Sequence, residues 1–204
     1  MSLDCKKNKT LSKISKILLP VLALCWMMVI FWFSAAPAPE SSEMSYTVGL
    51  QIGKIAVADF DAWTTEEQNA FAEKIEYPIR KMAHATEYAI LGMLVSGTAY
   101  AYGICGKKAI RYAWIWAAFY AATDEFHQLF VPGRSGQIRD VILDSAGAAV
   151  GILILFRVGR VRQRVAILYI KKPYKRTLLL HGLDYLYSRN DIYQILPSFL
   201  HVSL

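Results

Sequence analysis

Charged residues are unevenly distributed along the chain, and the gaps between them predict where helices lie. No charged residue occurs between Lys16 and Glu40, and a single acid interrupts the interval between Lys81 and Lys107. A helix needs about 20 predominantly apolar residues to cross a hydrocarbon core of about 30 Å. These intervals therefore predict two membrane-spanning helices, at about residues 17–37 and 80–103.

Two further apolar runs are shorter and end in acidic residues. Only 12 uncharged residues separate Arg111 from Asp124, and again 12 separate Asp144 from Arg157. If these runs cross a membrane, their polar flanks must belong to the ends of the same helices. The predicted spans are residues 110–130 and 138–157, with the Pro132-Gly133 pair marking the turn between them.

The polar segment 40–79 separates the first two spans and is strongly acidic, with eight acids and two bases. Thr64 and Glu67 have the spacing of a capping box, which predicts a short helix from about Thr65. Pro78 is expected to end that helix.

Lysine and arginine in the remaining loops predict the orientation. The N-terminus (1–16), the turn at 103–111 and the tail after residue 157 are all basic. Basic loops stay on the cytoplasmic side of a membrane. Four helices place all three basic segments there and leave the acidic segment outside. We therefore predict an all-α membrane protein, a bundle of four transmembrane helices with both termini cytoplasmic.

In that topology the polar residues of three helix ends converge near the outer face. Arg80, His84 and Glu87 share one helical face, as do Asp140 and Asp144. The aspartate stripe continues through small residues that permit close helix approach. Charged groups inside a membrane are costly and usually functional. The small-residue stripes are Ala85, Ala89, Gly92 and Ser96 on the second helix, and Gly147 and Gly151 on the fourth.

Composition agrees with a membrane protein. Apolar residues make up 55% of the 204 residues and charged residues 19%, below the roughly 25% typical of soluble domains. The net charge of +7 arises from bases that flank apolar runs. Anionic lipid therefore explains this charge better than nucleic acid does, and no nucleic-acid partner is expected.

Three motifs in this order resemble the VanZ-like family. They are Arg80-Lys81-x-x-His84-x-x-Glu87-Tyr88, the run from Asp124-Glu125-Phe126-His127-Gln128 to Pro132-Gly133-Arg134, and Asp140-Val-Ile-Leu-Asp144-Ser-x-Gly147, preceded by Phe33-Ser34 at the end of the first helix. Family members often carry Asn where this chain has Asp144. The resemblance covers about residues 17–156. It implies a multi-pass protein of the bacterial plasma membrane, associated with resistance to glycopeptide antibiotics such as teicoplanin.

The first functional hypothesis is binding of a lipid-linked or anionic cell-envelope component, such as a cell-wall precursor, at the outer leaflet. Arginine suits phosphate and carboxylate because its planar fork binds both bidentately. The predicted ligand-binding residues are Arg80, Lys81, Tyr88, Gln128, Arg134, Arg139, Asp140 and Asp144.

An enzyme acting on an envelope lipid is the alternative hypothesis, by acid/base or metal-dependent chemistry. A histidine would then exchange protons while a carboxylate orients it. We expect no metal or other cofactor, because no HExxH or ExxH pattern stands on one helix and nearby cations compete. A small transporter with a proton relay is a further alternative. The candidate catalytic residues are His84, Glu87, Asp124, Glu125 and His127.

The predicted organisation has three parts: a basic N-terminus (1–16), a four-helix membrane domain (17–156) and a basic, aromatic cytoplasmic tail (158–204). The lipid bilayer is the principal expected partner, and a homo-oligomer is possible.

Overall fold

The computed structural model describes residues 13–171, with side chains for residues 13–161. Within this range the chain is all-helical and has no strand. The predicted tail after residue 171 and most of the predicted basic N-terminus lie outside the described residues. The helices are α1 (Lys13–Ser34), α2 (Ala38–Ala56), a short 3₁₀ helix (Phe60–Ala62), α3 (Thr65–Ala101), α4 (Gly106–Gln128) and α5 (Ile138–Lys171).

The contacts divide the chain into two compact units, Met1–Arg162 and Gln163–Leu204. The helix packing and the candidate site both lie in the first unit. In the second unit the described residues are the last part of α5, up to Lys171.

Two helices in the described range are long and apolar enough to cross a membrane, α1 and the Ile138–Val161 part of α5. The first span was predicted to end at about residue 37, but α1 ends at Ser34. Residues 35–37 form the connection to α2. The predicted fourth span begins at residue 138, where α5 begins.

The structure adds one helix that the sequence did not predict. α2 occupies the first half of the acidic segment and packs against α3, and its buried residues are Ser41, Ser45, Gly49 and Gly53. These small residues recur every four positions, so they form one stripe. The stripe brings α2 close to α3 at Gly49, whereas Gly53 lies against the Phe60 ring. A side chain at Gly49 would meet the backbone of Ala72 at 3.3 Å.

The capping box at Thr64 is confirmed, whereas the predicted helix end at Pro78 is wrong. The Thr64 hydroxyl accepts from the Glu67 amide, and the Glu67 carboxylate accepts from the Thr64 amide. α3 then continues through Pro78 to Ala101. A proline removes one backbone hydrogen bond, but tertiary packing can maintain the helix. Here α2 supports α3 on the N-terminal side of Pro78, and α1 and α4 also pack against α3.

Small residues bring α3 and α5 together as the sequence predicts. A β-carbon at Gly147 would lie 2.3 Å from the carbonyl oxygen of Ala85, and one at Gly151 would lie 1.9 Å from that of Ala89. The two backbones are therefore in direct contact. α4 presents a further small-residue stripe, which was not predicted from the sequence and which is fully buried: Ala109, Ala113, Ala117 and Ala121.

Side chains also tie neighbouring helices together by donating to backbone carbonyls. The Trp26 indole donates to the carbonyl of Glu87 at 2.8 Å, and the Tyr120 hydroxyl donates to that of Met27 at 2.6 Å. The Trp114 indole donates to the carbonyl of Ser145 at 3.0 Å. These bonds fix the relative positions of α1, α3, α4 and α5, and thus of the polar side chains at their ends.

Candidate functional site

The predicted polar residues meet around a small pocket of about 100 Å³. Five parts of the fold contribute to it: the start of α2, the middle of α3, the end of α4, the connection before α5 and the start of α5. The lining residues are Ala38, Tyr77, Arg80, Lys81, His84, Gln128, Gly133, Arg134, Ser135, Gln137 and Asp140.

Arg80 and Lys81 form one wall of the pocket, and an acid holds each of them from one side. The Arg80 guanidinium is paired with Glu76 and donates to the Ser42 hydroxyl at 2.7 Å. Its Nε atom is buried and has no hydrogen-bond partner. Lys81 is paired with Asp140 on α5. The pocket therefore contains a guanidinium that is held in place yet retains a free donor.

Lys81 has a second neighbour. Its ammonium group lies 5.2 Å from the centre of the Tyr77 ring, a geometry typical of a cation–π contact. Tyr77 thereby helps to fix the position of the lysine beside the pocket.

Arg134 also lines the pocket and holds the end of α1. Its Nε donates to the carbonyl of Ala36 at 2.9 Å, and a terminal nitrogen donates to that of Phe33 at 3.2 Å. Burial lowers the pKa of Arg134 below its ordinary value, and the positive charge of Arg80 lowers it further. The two guanidinium groups that line the pocket thus repel each other, and an anion would relieve this repulsion.

The two predicted histidines occupy different surroundings. His84 lines the pocket, and its Nδ1 lies 3.7 Å from a carboxylate oxygen of Glu87, beyond hydrogen-bond distance. The ring of His127 lies against Phe31, with 4.5 Å between ring centres. Neither Nδ1 atom has a hydrogen-bond partner. The sequence predicts a histidine that is oriented by a carboxylate. His84 and Glu87 lie near each other in this way, but they do not form a hydrogen bond.

A deeper polar layer lies behind the pocket. The Asp124 carboxylate accepts from the Ser34 hydroxyl at 2.6 Å, and Gln128 donates to Ser34 at 3.2 Å and to Asp124 at 3.4 Å. All three side chains are buried. This network connects the end of α1 to the end of α4, and Gln128 joins it to the pocket.

Tyr88 and Asp144 are also deeply buried members of this layer. Tyr88 is fully buried, Asp144 is 1% exposed, and neither side chain has a hydrogen-bond partner. Asp144 lies within electrostatic range of Asp124 and Glu87. The predicted convergence of these acids is therefore realised, although they do not open onto the pocket.

Two residues that the sequence predicts for the site, Glu125 and Arg139, do not line the pocket. A carboxylate oxygen of Glu125 accepts from the backbone amide of Gln137 at 2.9 Å, immediately before α5 begins. An acid at a helix N-terminus is stabilised by the free amides and the helix dipole, so Glu125 anchors the start of α5. Arg139 is exposed and does not line the pocket. Its predicted role in ligand binding therefore has no support from this geometry.

The sequence interpretation placed His84 and Glu87 in the opening turns of a helix, but they lie in the middle of α3, because that helix begins at Thr65. It also overlooked several residues of the site. Ser34 lies in the last part of the charge-free run before Glu40, where a hydroxyl is a recognisable signal. Ser42 and Glu76 gave no such signal, because they reach Arg80 only through the packing of α2 on α3.

Metal binding receives no geometric support within residues 13–161. No group of three or more histidine, cysteine, aspartate or glutamate side chains there is arranged to hold a metal ion. The exposed lining of the pocket is instead cationic and hydrogen-bonding, which suits an anion.

The comparisons with known proteins agree with the motifs. A family model described as VanZ/LLP1 matches residues 19–160, a range that contains every residue of the pocket. No curated protein and no solved structure matches the chain significantly. Because the family match covers most of the 204 residues, the chain belongs to the VanZ/LLP1 family.

Proposed function

We propose that this protein is a multi-pass protein of the bacterial plasma membrane whose outer pocket binds the anionic group of a cell-envelope component. α1, α3, α4 and α5 are the four spans, within a membrane domain of residues 17–156. α3 has 37 residues. A helix of that length is about 55 Å long, whereas a hydrocarbon core is about 30 Å thick. The N-terminal part of α3, paired with α2, therefore projects from the membrane.

The charge distribution supports an outward-facing pocket. The first turns of α4 carry Lys107, Lys108 and Arg111, and α5 carries Arg157 and Arg160 at the same end of the bundle. Bases at that end favour a cytoplasmic location. The pocket lies at the opposite ends of α4 and α5, which are then outside the cell.

The cationic pocket is the observation that carries this proposal. Arg80, Lys81 and Arg134 surround a cavity that also contains His84, and the only acid in its lining is Asp140. Arg80 Nε and His84 Nδ1 are buried and have no hydrogen-bond partner among the described residues. A phosphate or carboxylate can accept from the guanidinium groups that line the pocket and offset the repulsion between them.

Protection of the envelope against glycopeptides such as teicoplanin is the cellular function that fits this activity. A protein that holds an anionic envelope component at the outer leaflet acts on the cell-wall side of the membrane. The bilayer is its main partner in this proposal, and neither a metal nor another cofactor takes part.

Binding of glycerol 1-phosphate to the full-length protein in neutral detergent tests the proposal. We expect the phosphate to raise the unfolding temperature, relative to sodium chloride of equal ionic strength. Saturation at 100 times the dissociation constant stabilises a protein by about 2.7 kcal/mol. Arg80→Gln should weaken binding at least tenfold, because it removes a positive charge from the lining of the pocket.

Arg139→Gln is the matched control, since it removes the same charge from an exposed residue of the same region that does not line the pocket. It should bind glycerol 1-phosphate as the unmodified protein does. No shift in the unmodified protein, or equal loss in both variants, would contradict the proposed pocket.

A further inference from the structure

Among the described residues that line the pocket, Tyr77 is the only aromatic one, and it is 59% exposed. The Lys81 ammonium lies 5.2 Å from the centre of its ring. A cation contacts one face of an aromatic ring, so the other face of Tyr77 remains available for a ligand. Tyr77 precedes the span predicted at about residues 80–103 and belongs to the part of α3 that projects from the membrane.

Neutral polar groups lie in the same lining. Ser135 and Gln137 are both exposed, and the Gln137 amide donates to the Ser135 hydroxyl at 3.1 Å. Apart from Tyr77, the apolar residues of the described lining are small, Ala38 and Gly133. The pocket thus combines one aromatic ring with hydroxyl and amide groups, and its lining offers little other apolar surface.

The pocket is too small to hold a whole ligand. Its volume is about 100 Å³. Pockets that enclose drug-sized ligands measure about 300–1,000 Å³. An anionic group such as a phosphate can enter, but the rest of the molecule must lie at the opening, where the exposed lining residues are.

We propose that the ligand is a phosphorylated sugar, whose phosphate occupies the pocket while its ring stacks on the free face of Tyr77. This inference rests on the proposed function and names the class of ligand. A pyranose ring has a face of C–H groups, which suits the negative face of an aromatic ring. Its hydroxyl groups both donate and accept, so they suit the neighbouring Ser135 and Gln137.

The charges of the pocket favour a phosphate over a carboxylate. Three cationic side chains line it, those of Arg80, Lys81 and Arg134. A phosphate monoester has three strong acceptor oxygens and a charge near −2, whereas a carboxylate has two oxygens and a single charge. The phosphate therefore offers one acceptor oxygen for each cationic side chain.

Comparison of glucose 1-phosphate with glycerol 1-phosphate tests the inference, because the two probes carry the same phosphate with and without a sugar ring. Binding is measured with the full-length protein in a polyoxyethylene detergent, which contains no sugar. We expect glucose 1-phosphate to bind about tenfold more tightly, the ratio that one aromatic contact supplies. Glucose itself should bind more weakly than either phosphate.

Two variants of Tyr77 show whether its ring causes this preference. Tyr77→Leu removes the ring and should reduce the preference for glucose 1-phosphate to less than about twofold. Tyr77→Phe keeps the ring and should retain the full preference. The ratio of the two affinities is the measured quantity, because a displaced Lys81 would weaken both phosphates equally.

The octyl diester of glucose 1-phosphate distinguishes a lipid-linked sugar from a free sugar phosphate. Tighter binding of the diester assigns the site to the headgroup of a lipid, and weaker binding assigns it to the free monoester. In both cases Tyr77→Leu should weaken the binding of the preferred probe.

Equal binding of glucose 1-phosphate and glycerol 1-phosphate to the unmodified protein would overturn the sugar inference and leave the anion pocket intact. A preference that survives in Tyr77→Leu would also overturn it. Binding of neither phosphate would overturn both the inference and the function on which it rests.

Discussion

Gly151→Ala is expected to destabilise the protein by about 3 kcal/mol, although it adds a single methyl group. The new β-carbon would lie 1.9 Å from the carbonyl oxygen of Ala89 and 2.8 Å from its α-carbon. These are backbone atoms, so no side chain can rotate away, and α3 and α5 must separate. Overpacking usually costs about 1–3 kcal/mol, and a rigid contact such as this one belongs at the upper end.

Gly159→Ala provides the control in the same helix. Nothing lies within 4 Å of a β-carbon at Gly159. Alanine is favoured over glycine inside a helix by about 0.5–1 kcal/mol, so this variant should be unchanged or slightly more stable. Unfolding of the purified variants in detergent measures both effects. Equal stability of the two variants would show that α3 and α5 do not pack as closely as described.

Asp124→Asn and Asp144→Asn are expected to change stability in opposite directions. A single oxygen of Asp124, Oδ2, accepts the hydrogen bonds from Ser34 and Gln128, and an asparagine would replace them by weaker bonds to a neutral amide oxygen. Hydrogen bonds to charged groups stabilise by about 1.5–3 kcal/mol and neutral ones by about 0.5–1.5 kcal/mol, so Asp124→Asn should destabilise the protein by about 1 kcal/mol. Asp144 has no partner for either oxygen. Its replacement by an uncharged group of the same shape should stabilise the protein by about 1 kcal/mol.

The same unfolding measurement compares the two variants with the unmodified protein. We expect the two variants to change the free energy of unfolding in opposite directions. Asp124 and Asp144 are similarly buried and differ in their hydrogen bonding. Destabilisation by Asp144→Asn as large as that by Asp124→Asn would contradict this account and would mean that Asp144 has a partner in solution.

Much of the helical framework follows from the sequence because it depends on local patterns. The charge-free run before Glu40 predicts α1, and the Thr64 capping box marks the start of α3. The glycine pair at 147 and 151 predicts the close contact of α5, which the structure confirms. These features depend on spacing along one helix, and spacing is visible in the sequence.

The candidate site is only partly predictable, because its details depend on how separate helices meet. Arg134 and Arg139 are equivalent in the sequence, yet Arg134 reaches the carbonyls at the end of α1 whereas Arg139 is exposed. Ser42 reaches Arg80 only through α2, a helix whose stripe of serine and glycine has little hydrophobic signal. Pro78 is misleading for the same reason. A proline by itself favours the end of a helix, but α3 continues through Pro78 because α2 packs against it.

The position of the pocket relative to the membrane is the central claim, and labelling of intact cells tests it most directly. Ser135 lines the pocket and is exposed, so Ser135→Cys should react with a membrane-impermeant maleimide in intact cells, above the background of the parent chain. Lys108→Cys, in the basic first turn of α4, should react only after permeabilisation. The reverse pattern would place the pocket in the cytoplasm and contradict the account of an outer-leaflet site.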